Sequence, residues 1–123
     1  GNSGIYLRVP ADGAHREGGG AEVQLLDDAA AEYRNIKPAQ YCGSIYLVVP
    51  AAQHVSRPVG EWNTMEINCR GTSYRVIHNG VLIVDADGKK FPELEKRFRR
   101  GYLGLQNHRE EVWFRNLRIG PPL

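Results

Sequence analysis

Three polar side chains stand close together in the stretch Glu22-Val23-Gln24-Leu25-Leu26-Asp27-Asp28. Glu22 and Gln24 alternate with Val23 and Leu25, which is the period of a half-buried strand. A carboxylate accepts hydrogen bonds, and an amide both donates and accepts. Together they match the two-way hydrogen bonding of a sugar hydroxyl. Strict alternation sends Asp27 to the apolar face; one extra residue, a β-bulge at Leu25-Leu26, returns it beside Glu22 and Gln24. The plain alternative is a solvated outer face.

Other stretches repeat the feature. Tyr6 and Arg8 alternate with Ile5, Leu7 and Val9, and Tyr46 opposes Ile45, Leu47 and Val49. Gln106 and His108 oppose Leu103 and Leu105, and Gly104 leaves room above their face. Arg115 belongs to a last alternating run, where Phe114 and Leu117 both read as inward although three apart. A phase slip at Arg115-Asn116 reconciles them. Amides, carboxylates, an imidazole, a guanidinium and tyrosines on one sheet face are the chemistry of a carbohydrate cleft, with aromatic rings stacking on sugar C–H faces. Each has a plainer use: His108 capping a turn, Arg115 pairing with Asp27, Trp62 filling the core. His15, His54 and His78 have no partner at metal-ligand spacing, and Asp85-Ala86-Asp87-Gly88 lacks the later acidic ligand of a calcium loop, so it reads as a turn.

The elements that must carry these groups are short strands. Runs are expected over 4–10, 22–28, 43–49, 62–70, 72–78, 81–85, 101–108 and 112–119. Asn79-Gly80 between two alternating runs predicts a type I′ hairpin. Single helical turns are expected at 29–32 and 92–96, with Pro38 stopping any helix before it. The class is all-β, an antiparallel two-sheet jelly-roll sandwich.

A chain of 123 residues with 41% hydrophobic content makes one domain, 1–123, with a sandwich-sized core. A formal net charge of +2 gives no basic field, so no nucleic-acid partner is expected. No 18-residue apolar run is present, so no membrane span is expected. The opening Gly1-Asn2-Ser3-Gly4 lacks an initiator Met and reads as the inside of a strand, the mark of a fragment or trimmed chain. A missing signal peptide then says nothing of compartment. Cys42 and Cys69 fit no zinc spacing, and their strand parity puts them on opposite faces, as free thiols.

Six blocks occur in order: Asn2-Ser3-Gly4-Ile5-Tyr6-Leu7-Arg8, Glu22-Val23-Gln24-Leu25-Leu26-Asp27, Gly60-Glu61-Trp62-Asn63, Asn79-Gly80-Val81, the run from Gly101 to His108, and Phe114-Arg115-Asn116-Leu117-Arg118-Ile119. Together, over nearly the whole chain, they resemble the 3-keto-disaccharide hydrolase domain family. The resemblance implies a concanavalin A-like jelly roll similar to laminarinase-type glycosidases, a 3-keto-glycoside as partner, and a periplasmic or secreted location. The family's domain has further strands before the position of Asn2. The chain is therefore expected to be the C-terminal two-thirds of it, with an exposed sheet edge or apolar groove. Asn107 stands where the family often has Asp, which bears on how His108 is held. Direct retaining hydrolysis needs two carboxyls about 5–5.5 Å apart. Glu22 and Asp27 are the candidates, and Gln24 takes the place of the third carboxylate of the laminarinase-like pattern.

The chemistry that the resemblance implies is elimination followed by hydration. A ketone at C3 acidifies the C2 proton, a base removes it, and the glycosidic oxygen leaves C1. His108 or a desolvated Glu22 suits the base, Arg115 or Gln106 the donor to the enolate oxygen, and Asp27 or Tyr6 the acid. Tyr6, Arg8, Gln24, Tyr46, Gln106 and Asn107 are the expected substrate contacts. A divalent metal acting as Lewis acid stays open, with no ligand set evident. The competing readings are a non-catalytic carbohydrate-binding module and a structural domain of a larger secreted protein. Only the enzyme needs a base with a perturbed pKa.

Overall fold

A computed structural model describes residues 1–14 and 19–121. Among these, six strands form: β1 (Asn2–Val9), β2 (Ala21–Leu26), β3 (Met65–Arg70), β4 (Ser73–His78), β5 (Val81–Ala86) and β6 (Tyr102–Leu105). They build two antiparallel three-stranded sheets, ordered β2-β1-β6 and β3-β4-β5. The two-sheet all-β architecture is the expected one. The helix α1 (Pro92–Glu95) is a single turn with Pro at its start, where the missing N–H costs nothing. Two 3₁₀ turns cover Ala31–Tyr33 and Pro38–Gln40. Pro38 therefore opens a turn rather than only barring one.

The core lies between the sheets. Leu7, Val23, Ile45, Tyr74, Val76 and Val84 are among its buried members. The Asn79-Gly80 tip has positive φ at both residues, +49° and +82°, as a type I′ turn requires. In β5 the register steps from Val76↔Val84 to Ile77↔Leu82, so Ile83 is the extra residue of a bulge. This lets the consecutive Ile83 and Val84 both be buried, which plain alternation forbids.

Four local expectations are corrected. No bulge occurs at Leu25-Leu26: the β1–β2 register runs without a break from Asn2↔Leu26 to Leu7↔Ala21. The bulge lies instead in β1, between Tyr6 and Val9, where Arg8 takes φ +56°. Residues 43–49 are not one strand. Gly43 to Tyr46 runs beside β2, then Leu47 turns with φ +60° and brings Val49 back against Ile45. Leu47, expected inward, is exposed. Residues 112–119 form no ladder, and Asn116, at the expected phase slip, has φ +54°.

Among the described residues the sandwich is packed on one side. On the other, Ile5, Leu103 and Leu105 of the first sheet face Met65, Ile67 and Cys69 of the second across an open groove of about 1780 Å³, with residues 111–120 along it. The inward set of Met65, Ile67 and Cys69 is the expected one. Both cysteines are free, Cys42 buried and Cys69 half-buried.

Candidate functional site

Residues directly opposed in an antiparallel ladder share a face. Tyr6 opposes Glu22 on one side and Gly104 on the other. Val23 bridges Ile45, and the Tyr46 N–H donates to the Glu22 carbonyl at 2.8 Å, so Tyr46 follows Glu22 in the same row. The row across the sheet is therefore Gly104, Tyr6, Glu22, Tyr46. The next row holds Gln106, Gly4, Gln24 and Ser44, fixed by Gln106 N–H to the Gly4 carbonyl at 2.8 Å and Gln24 N–H to the Ser44 carbonyl at 3.0 Å.

Two glycines shape this face. A Cβ on Gly4 would lie 2.9 Å from the Glu22 carboxyl carbon, so the Glu22 side chain leans over Gly4. A Cβ on Gly104 would meet the Tyr6 ring at 3.4 Å. Glu22 is 3% and Gln24 5% exposed, so both are withdrawn from bulk water. Gln106 Nε2 donates to the Tyr6 hydroxyl at 3.0 Å. Gln40 Nε2 donates to the Tyr46 hydroxyl at 3.3 Å, and Gln24 Nε2 donates to the Gln40 carbonyl at 3.1 Å. The result is a buried glutamate on a strand between two tyrosines, each phenol held by an amide.

Five of the sequence-predicted residues thus share one face: Tyr6, Glu22, Gln24, Tyr46 and Gln106. Five do not join it. The β1 bulge turns Arg8 toward the second sheet, where Nη1 donates to the Gly71 carbonyl at 2.6 Å and the guanidinium lies 5.6 Å from the buried Tyr74 ring. Without a bulge in β2, Asp27 falls beyond the strand end and accepts the Ala29 N–H at 3.2 Å, as a turn residue does. Asn107 accepts the Arg109 N–H at 3.0 Å in an exposed turn after β6. His108 lies in that turn, half-exposed, with Nδ1 3.5 Å from Glu110. Arg115 stacks on Trp62, 3.9 Å above the ring, and lines the groove between the sheets. Gln40 and Gly4 are the residues that sequence reasoning missed. Gly4 had a signal, a glycine facing a strand glutamate; Gln40 sits in a loop with no periodicity and had none.

A second polar cluster lies near the hairpin tip. Asp28 Oδ1 accepts the Cys42 N–H at 2.9 Å. Asn63 Oδ1 accepts from Arg57 N–H at 2.9 Å and Asn79 Nδ2 at 2.7 Å, so His78 Nε2, 3.3 Å away, is also a donor to it. The His78 Nδ1 lone pair and Asp28 Oδ2 are buried with no partner among the described residues. Burial lowers the His78 pKa and raises those of Asp28 and the Cys42 thiol. Among the described residues no group of three or more His, Cys, Asp or Glu side chains is placed to hold a metal ion. No helix among the described residues is long and apolar enough to cross a membrane.

The family model described as the 3-keto-alpha-glucoside-1,2-lyase-like domain matches residues 1–120. A Bacteroides thetaiotaomicron protein named 3-keto-disaccharide hydrolase is 27% identical over 160 aligned positions, covering 97% of this chain and 53% of the relative. A solved Parabacteroides distasonis protein, which carries a provisional glycosyl hydrolase name, superposes with a TM-score of 0.74 at 30% identity. That match covers 86% of this chain and 62% of the relative. A second solved protein of that organism, with the same provisional name, gives 0.69 at 19% identity over 88% of this chain and 59% of its own, a likeness of fold. The chain thus spans about half the length of the curated relative and about three-fifths of the solved ones.

Proposed function

We propose, on the premise that this chain belongs to the 3-keto-alpha-glucoside-1,2-lyase-like domain family, that the Tyr6–Glu22–Tyr46 face binds a 3-keto-glycoside and cleaves its glycosidic bond by elimination. Glu22 takes the C2 proton. The electron pair of the broken C–H bond forms an enolate with the C3 carbonyl, then expels the glycosidic oxygen from C1. The departing oxygen takes up a proton, and the product is an enone with a C1–C2 double bond. Water adds across that bond, its hydroxyl to C1 and its proton to C2. The sum is hydrolysis of the glycoside. Tyr6 and Tyr46, the neighbours of Glu22 in the row, stabilise the enolate oxygen or protonate the leaving group.

The observation that carries this reading is the row itself: a buried glutamate between two tyrosines, its carboxyl group over a glycine that clears space for it. Arg115 and Asp27 lie off this face, which leaves the other candidates for donor and acid, Gln106 and Tyr6, with Tyr46 added beside them. With Asp27 beyond the strand end, Glu22 has no second carboxylate beside it on the face among the described residues, which favours elimination over direct displacement.

The test is incubation of the chain with a 3-keto-glucoside and with its unoxidised parent. The keto sugar alone should be consumed, and Glu22→Gln should lower its turnover by about 10²–10⁴ while sugar binding persists. Binding of both sugars without turnover of either would leave a carbohydrate-binding module instead.

A further inference from the structure

We infer that Gln40, in the 3₁₀ turn beside the first sheet, is a positioning residue that sets which way the Tyr46 hydroxyl proton faces, an inference that rests on the elimination reading above. The Gln40 amide is held in one orientation. Its Oε1 accepts the Lys37 backbone N–H at 2.9 Å, which turns Nε2 toward Tyr46 as the donor. The turn that carries it is itself tied down, by Gln40 N–H to the Lys37 carbonyl at 2.9 Å. The Gln40 carbonyl in turn accepts Gln24 Nε2 at 3.1 Å. One loop residue thus holds two members of the polar face from outside the sheet.

A phenol has a single proton. When its oxygen accepts an amide N–H, that proton is directed to another acceptor. Tyr46 neighbours Glu22 in the row, so the donor is held on the face that carries the carboxyl group. On the other flank Gln106 Nε2 also donates to a phenol, Tyr6, at 3.0 Å, but its Oε1 has no partner among the described residues to fix the amide. As C2 loses its proton, negative charge grows on the C3 oxygen, and a preset donor stabilises it without reorganisation. A carboxylate at position 40 has nearly the same shape and accepts the Lys37 N–H equally well. It cannot donate, so it takes the phenol's proton and turns the donor away from the site.

Gln40→Glu, Tyr46→Phe and the double variant of the full chain separate this role from a merely structural one. Gln40→Glu should lower kcat on a 3-keto-glucoside about tenfold or more, change KM less than about twofold, and add nothing in the Tyr46→Phe background. Its thermal unfolding midpoint should match that of the wild type. In the absence of sugar, the Gln40 side-chain amide protons should exchange with solvent faster in Tyr46→Phe than in the wild type. Equal exchange in the two, wild-type kcat in Gln40→Glu, or additive losses in the double variant would each overturn the inference. A wild-type chain inert toward the keto sugar overturns the elimination reading, and the positioning role with it, and is seen before any variant is compared.

Discussion

The carboxyl group of Glu22 leans over Gly4 because nothing on Gly4 occupies that space, and a single methyl group tests this. Gly4 sits in a regular strand without positive φ, so alanine suits its backbone. The clash falls on the Glu22 side chain from Cγ outward rather than on main chain. Gly4→Ala should therefore leave the unfolding midpoint nearly unchanged while displacing the carboxyl group and lowering kcat/KM for a 3-keto-glucoside about 10²-fold; full activity would show that the carboxyl position is not critical. His78 tests a different kind of burial. It is 1% exposed, and desolvation holds its pKa below the ordinary 6.5. The unfolded chain then binds a proton at a higher pH than the folded one does. Stability is full above about pH 6.5 and falls as the pH drops from there toward the lowered folded value. Urea unfolding at pH 7.5 and 5.5 should show this loss, and His78→Gln should flatten it. Asp28, raised by burial, acts with the opposite sign, its contribution being full below its ordinary 3.8 and lost as the pH rises through the raised value. Much of the polar face was legible from types and alternation alone: Glu22, Gln24, Tyr6, Tyr46 and Gln106 each oppose apolar neighbours. The side chain of Arg8 was not, because the bulge that turns it toward the second sheet is built from Leu7 and Arg8, without a glycine to announce it.

At the level of elements, the tip of the β4–β5 hairpin was readable to the residue because turn chemistry is local. Asn79 and Gly80 both need positive φ, and few other residues accept it. Asn79 also does something the turn rule does not foresee. Its Nδ2 donates to the Val55 carbonyl at 2.8 Å and to Asn63 Oδ1 at 2.7 Å, and its Oδ1 accepts the Thr64 N–H at 2.9 Å. These bonds lace the hairpin tip to the loop before β3. By turn geometry alone Asn79→Gly is near neutral; with the lacing lost it should cost about 1–2 kcal/mol in denaturant unfolding. A cost under about 0.5 kcal/mol would mean that the side chain serves the turn and nothing else. Gly80→Ala, at φ +82°, should cost about 1–2 kcal/mol for steric reasons. Two runs with good alternation, 43–49 and 112–119, do not form continuous strands. Alternation reports which side chains seek burial, and it did so for Ile45 and Val49. It does not report whether a partner backbone lies alongside, which is a long-range matter.

For the molecule as a whole, the unequal sides of the sandwich govern behaviour in solution. The packed side, from β2 across β1 to β4 and β5, buries an aliphatic core that includes the fully buried Tyr74. The open side leaves Leu103 51% and Trp113 72% exposed along a groove of about 1780 Å³. That volume exceeds the roughly 300–1,000 Å³ of small-ligand pockets, and among the described residues β6 ends the ladder order of its sheet. Contiguous apolar surface and a free strand edge are the two features that drive association. The 123-residue chain should bind a hydrophobic dye such as ANS in its folded state and self-associate at ~50 µM in sedimentation velocity. Because Leu103 and Leu105 are half-exposed, replacing both with serine removes little core packing. The Leu103→Ser, Leu105→Ser variant should keep the wild-type unfolding midpoint while losing most dye binding and association. Turnover of the keto sugar should persist in it, since both leucines point away from the Glu22 face. A wild-type chain that stays monomeric at that concentration and ignores the dye would show that the groove is closed in solution.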